Sequence, residues 1–163
     1  MALYGILDCA VDKSLHGRVE ALPSGRAVCL YEGKLPPRIA AVAPYLVELT
    51  PTDPLSRAWR AEGWGANWGL LLSSDESLTR VRRRLRHFTQ VRLPDGSGPV
   101  LFRFWDPRVF RAYMPLAEPE QAQAWFTDID RYIVETEGGK GSLSFTFDGG
   151  AVAVRPGPPP AQG

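Results

Sequence analysis

The sequence is poor in the side chains that most chemistry requires. Its 163 residues hold two cysteines, two histidines and two methionines. No two ligand-type residues stand at zinc-like Cys/His spacing, so no metal is expected. There is no glycine-rich loop ending in Gly-Lys-Ser/Thr, no Gly-x-Gly-x-x-Gly behind a strand and no Gly-x-Ser-x-Gly elbow. The common phosphate, dinucleotide and nucleophile-elbow motifs are thereby removed, and no cofactor is expected. An excess of one charge is missing too. Lys and Arg number 19 and Asp and Glu 18, a formal net charge of +1, whereas a domain dedicated to nucleic acid is usually strongly basic. No apolar run approaches the roughly 20 residues that span a bilayer. The start, MALYGILDCAVD, lacks the basic head of a signal peptide. These absences imply a cytoplasmic domain with neither nucleic acid nor membrane as partner.

One thin case for catalysis survives. Cys9 and His16 would make a thiol–imidazole pair, with Asp8 or Asp12 orienting the imidazole. The competing reading is a buried strand cysteine and an exposed helical histidine. Cys9 and Cys29 each lie inside an apolar run, where free cysteines behave as small hydrophobes.

What is present is a folding composition: 44% hydrophobic, 23% charged and 10% aromatic. At this length it implies a single domain with a real core, here residues 1–155, with a flexible Pro/Gly-rich tail at 156–163. Short apolar runs at Leu3–Cys9, Ala27–Tyr31, Tyr45–Leu49 and Trp68–Leu72 alternate with helical spacing at Leu15, Val19 and Leu22 and behind Thr52-Asp53-Pro54. That rhythm predicts an α/β fold: a mixed sheet covered by helices. After Ile129, three strand-like runs separated by glycine clusters predict an antiparallel C-terminal meander.

The stretch from Asn67 to Tyr113 is densest in signal. Ser73 with Glu76 suggests a capping box. Leu78, Val81, Leu85 and Phe88 then form one apolar stripe, while Arg80, Arg82, Arg83, Arg84, Arg86 and His87 cover the rest of that helix. A hairpin follows across Pro94-Asp95-Gly96-Ser97-Gly98, joining Gln90–Leu93 to Val100–Trp105. Asp106-Pro107 opens another helix with a cap and a first-turn proline. The arginine face has three readings: a solvated surface, a patch for an acidic protein, or a phosphate-binding strip for nucleic acid. Aromatic stacking residues do not interleave with these arginines.

Trp68–Ser74, the Leu85–Phe88 segment, the Leu93–Gly96 turn and the run Phe102–Phe110 (FRFWDPRVF) together resemble the type VI secretion adaptor-chaperone (Tec or Tap) family, long catalogued as a domain of unknown function. Leu7-Asp8, Leu30–Gly33 (LYEG) and Pro44–Leu49 (PYLVEL) fit in the same order. The resemblance spans Tyr4 to Glu135. It implies a non-enzymatic bacterial cytoplasmic protein that binds a toxic effector and helps load it onto the secretion spike. It transfers no catalytic residue. Its arginine–aspartate–proline–arginine core falls on Arg103, Asp106, Pro107 and Arg108. Many relatives continue into a helical second lobe, whereas glycine-rich strands follow Glu135 here. The residues expected to meet a partner are Arg82, Arg83, Arg86, Arg103 and Arg108.

Overall fold

The computed structural model describes residues 1–161. The elements are β1 (Ala2–Asp8), α1 (Leu15–Glu20), β2 (Ala27–Cys29), α2 (Pro37–Ala40), β3 (Pro44–Leu49), α3 (Pro54–Ala58), β4 (Gly69–Ser74), α4 (Leu78–Arg86), β5 (Gln90–Arg92), β6 (Pro99–Leu101), α5 (Pro107–Tyr113), α6 (Pro119–Trp125), β7 (Arg131–Glu135), β8 (Ser142–Asp148) and β9 (Ala151–Gly157). Seven strands form one sheet in the order β2-β3-β1-β4-β7-β8-β9, while β5 and β6 pair only with each other.

The α/β class and the C-terminal meander are present. The mixed sheet suggested by the strand–helix–strand rhythm is instead antiparallel in every ladder. Both β3 and β4 run antiparallel to β1, so they are parallel to each other across the α3 connection. β1 lies between them and takes both sets of hydrogen bonds, which makes a split β-α-β unit. The crossover is legible in sequence; the inserted strand is not.

Alternation along the central strands divides the interior into two cores. Tyr4, Ile6, Leu46, Leu70 and Leu72 face Val81 and Leu85 of α4, Phe110 of α5 and Trp125 of α6. Leu7, Val47 and Leu49 face Leu15, Val19, Leu55 and Trp59 on the opposite side. Being central, β1 is buried on both faces, which explains its unbroken apolar run. A buried Leu, Ile or Phe of this kind contributes about 1.5–3 kcal/mol.

Helix starts follow the sequence with two changes. β4 continues through Ser74, so the Ser73–Glu76 capping box does not form. Ser77 caps α4 instead, its Oγ accepting from the Arg80 N–H at 3.3 Å. The Asp53 carboxylate does not cap α3 but turns back to accept from the Thr50 N–H at 2.7 Å and pair with Arg26. At α5 the expected cap is made, with Asp106 Oδ1 accepting from the Arg108 N–H at 2.9 Å. The second hairpin strand ends at Leu101. Beyond it the chain dives inward and buries both Phe104 and Trp105, so the strand expected from Val100 through Trp105 stops at Leu101.

At the far edge β9 runs on to Gly157, and Ser142 donates to the Pro158 carbonyl at 2.9 Å. Of the expected tail, residues 162–163 lie outside the described part. No helix among the described residues is long and apolar enough to cross a membrane.

Candidate functional site

The arginines of α4 have different fates. Arg80 and Arg84 reach across to Asp128 at 3.1 and 2.8 Å, and their hydrogen bonds hold its carboxyl below the usual range. Arg82 donates to the carbonyls of Cys29 at 2.6 Å and Tyr31 at 3.1 Å, clasping the end of β2 to the helix. Arg86 pairs with Glu32. Arg83 is exposed, and neither its guanidinium nor that of Arg92 has a hydrogen-bond or ion-pair partner among the described residues.

Those two unpaired cations border a groove of about 710 Å³ between the end of α4, the loop after β2 and the β5–β6 hairpin. Tyr31, Arg83, Arg86, His87, Val91 and Leu101 are among its walls. The hairpin is unusual for what it exposes. All six residues of its two strands face solvent, including Val91, Val100 and Leu101, and Leu93 beside them is exposed as well. Apolar side chains left on a protruding hairpin beside unpaired positive charge suit an amphipathic protein surface.

Behind Tyr31 lies a cluster of buried carboxylates. The Tyr31 ring meets Trp105 edge-on at 6.1 Å. Arg103 Nη2 donates to the buried Asp8 carboxylate at 2.5 Å, and Arg108 grips Asp106 through Nε at 3.0 Å and Nη2 at 2.8 Å. Burial works to raise the Asp106 carboxyl, but the hydrogen bonds from Arg108 outweigh it and hold the group below its ordinary value. Glu135 accepts from the Gly65 N–H at 2.9 Å and the Asn67 N–H at 3.0 Å. Burial pushes its carboxyl up, and these two donors pull against that rise. Arg111 donates to the Glu135 backbone carbonyl at 3.0 Å. The cluster fastens the ends of β1 and β7 to the start of α5 and to the loop before β4.

Of the five arginines named from sequence, Arg83 and Arg86 line the groove. Arg82 lies behind it, holding one wall. Arg103 and Arg108 cover the carboxylate cluster, with their side chains about half exposed. The apolar hairpin residues and Tyr31 were not among the named candidates. Their only sequence signal is a pair of apolar strands around a turn with no helix of its own to cover them.

Among the described residues the side chains of Cys9, His16, Asp8 and Asp12 make no hydrogen bond or ion pair with one another. Burial, with Asp8 and Cys29 adding to it, pushes the Cys9 thiol up to about 12, far from the depressed values of nucleophilic thiolates. His16 Nε2 lies 3.3 Å from the Tyr45 hydroxyl. Asp8 is committed to Arg103, and Asp12 accepts from the Ser14 N–H at 2.7 Å. No group of three or more His, Cys, Asp or Glu residues able to hold a metal occurs among the described residues.

A two-core α/β domain whose open groove is flanked by arginine and apolar hairpin side chains has the makings of a protein-binding module. The family model described as a domain of unknown function, DUF4123, matches residues 3–124, about three quarters of the chain. The chain belongs to this family, which is known as the type VI secretion effector chaperone (Tec/Tap) family. No curated protein and no solved structure matches it.

Proposed function

We propose that this protein is a non-catalytic cytoplasmic adaptor that binds a type VI secretion effector and helps load it onto the secretion spike. Family membership across residues 3–124 carries the reading. The groove supports it: Arg83 and Arg92 offer positive charge without a partner among the described residues, and Val91, Val100 and Leu101 offer apolar surface beside it. Arginine suits such a contact because its planar fork meets carboxylates with two hydrogen bonds. Arg82 and Arg86 act on this surface chiefly by fixing its walls, and Arg103 and Arg108 by holding the carboxylate cluster behind Tyr31. The decisive experiment is co-purification of the full chain with the product of a neighbouring toxin gene, followed by recovery of the spike protein with the pair. A stable binary complex is expected. A full chain that retains no toxin overturns the adaptor role, and a pair that never recruits the spike overturns the loading step.

A further inference from the structure

The β5–β6 hairpin is a two-stranded sheet standing apart from the main one, and an isolated pair of strands is marginal in water. Its two edges differ. The Phe102 N–H donates to the Thr89 carbonyl at 2.8 Å, and the register sets Gln90 opposite Leu101, Val91 opposite Val100 and Arg92 opposite Pro99. Hydrogen-bonded and non-bonded pairs alternate in an antiparallel ladder. Val91 and Val100 therefore bond inward, while Gln90 and Arg92 turn their N–H and C=O groups outward along β5. On β6 the outward groups belong to Pro99 and Leu101, and proline has no N–H to give. One edge is thus blunted, as exposed edges commonly are, and the other keeps both donors. All of β5 lines the groove, between the exposed apolar residues of the hairpin and the unpaired guanidinium groups of Arg83 and Arg92.

We infer that the groove takes its partner as an extended segment that adds to the open edge of β5 as a third strand. Main-chain bonds to Gln90 and Arg92 supply affinity, and alternate side chains, apolar toward the hairpin and acidic toward Arg83 and Arg92, supply selection. The inference rests on the adaptor reading, naming how the same groove engages its cargo.

The test uses the full chain co-expressed with the neighbouring toxin. Gln90→Pro removes an outward donor from the first residue of β5, where proline is tolerated. Q90P is expected to lower toxin retention at least tenfold; a folded Q90P chain that retains toxin as the parent does overturns strand addition. On the unsubstituted complex, residue-resolved amide exchange is expected to show Gln90 and Arg92 newly protected, which keeps the test independent of variant folding. Unchanged exchange at both amides while toxin is held overturns strand addition and leaves the adaptor role standing. Failure of the parent chain to hold any toxin instead counts against the adaptor role itself. Arg83→Glu is expected to weaken retention with no change in amide protection outside the groove; retention unaffected by it overturns the acidic side of the proposed segment.

Discussion

Two neighbouring arginines on one helix do different jobs, and substitution should separate them. Arg83 is exposed and its guanidinium has no partner among the described residues, so Arg83→Glu should leave the denaturant midpoint nearly unchanged, within about 0.5 kcal/mol, while reducing toxin capture in a pull-down. Arg82 serves two carbonyls at the end of β2, so Arg82→Ala should cost about 1–3 kcal/mol by stranding those acceptors. The Arg103–Asp8 pair is asymmetric in a similar way. Asp8 is 2% exposed and the Arg103 side chain 45%. Removing the arginine abandons a buried carboxylate, whereas removing the carboxylate frees an arginine that water can reach. Arg103→Leu should therefore cost about 3 kcal/mol, and Asp8→Asn distinctly less, in the same urea titration. At low pH the vulnerable group is Asp53, whose carboxyl the Arg26 hydrogen bond chiefly holds down at about 2. A depressed folded value means that this stabilisation is complete above the ordinary carboxylate range and fades as pH falls from about 4 through 2. Asp53→Asn should accordingly flatten the decline in stability between pH 5 and pH 2, with the parent chain showing the steeper loss.

Among the elements, the approach of β4 to β1 is the least forgiving. Gly69 opens β4 at φ 153°, and a Cβ there would run into the Ile6 carbonyl oxygen of the central strand. Neither backbone can yield without breaking the β1–β4 ladder, so Gly69→Ala should abolish soluble folded protein, seen as loss of the near-ultraviolet circular dichroism signal. The preceding loop depends on Glu135, whose two carboxylate oxygens each accept one backbone N–H. Glutamine offers one acceptor and one donor in that position. Glu135→Gln should destabilise by about 1–3 kcal/mol despite removing a charge that burial disfavours. Local pattern revealed many of these elements: the α4 stripe is built from Val81 and Leu85 as spaced, and Asp106 caps α5. It misassigned the start of α4 because Ser73, Ser74 and Ser77 are all competent cap residues, and only the length of the β1–β4 ladder excludes the first two.

At the scale of the molecule, five arginines between α4 and α5 are spent on carboxylates of the same chain: Arg80 and Arg84 on Asp128, Arg86 on Glu32, Arg103 on Asp8 and Arg108 on Asp106. Residual field is small at a net charge of +1, and the chain should show no binding to single- or double-stranded DNA in a low-salt mobility assay. The ordered motifs between Leu7 and Phe110 were enough to suggest the family. The C-terminal meander and the apolar stripe of α4 likewise follow from patterns a few residues long, because turns and apolar periods act locally. Tertiary structure alone decided which strands became neighbours, since inserting β1 between β3 and β4 depends on contacts distant in sequence. It also decided which arginines were consumed. A guanidinium's availability depends on whether a carboxylate or carbonyl lies within about 3 Å, and Asp128, Cys29 and Tyr31 come within reach of α4 only once the helix has packed on one face of the sheet.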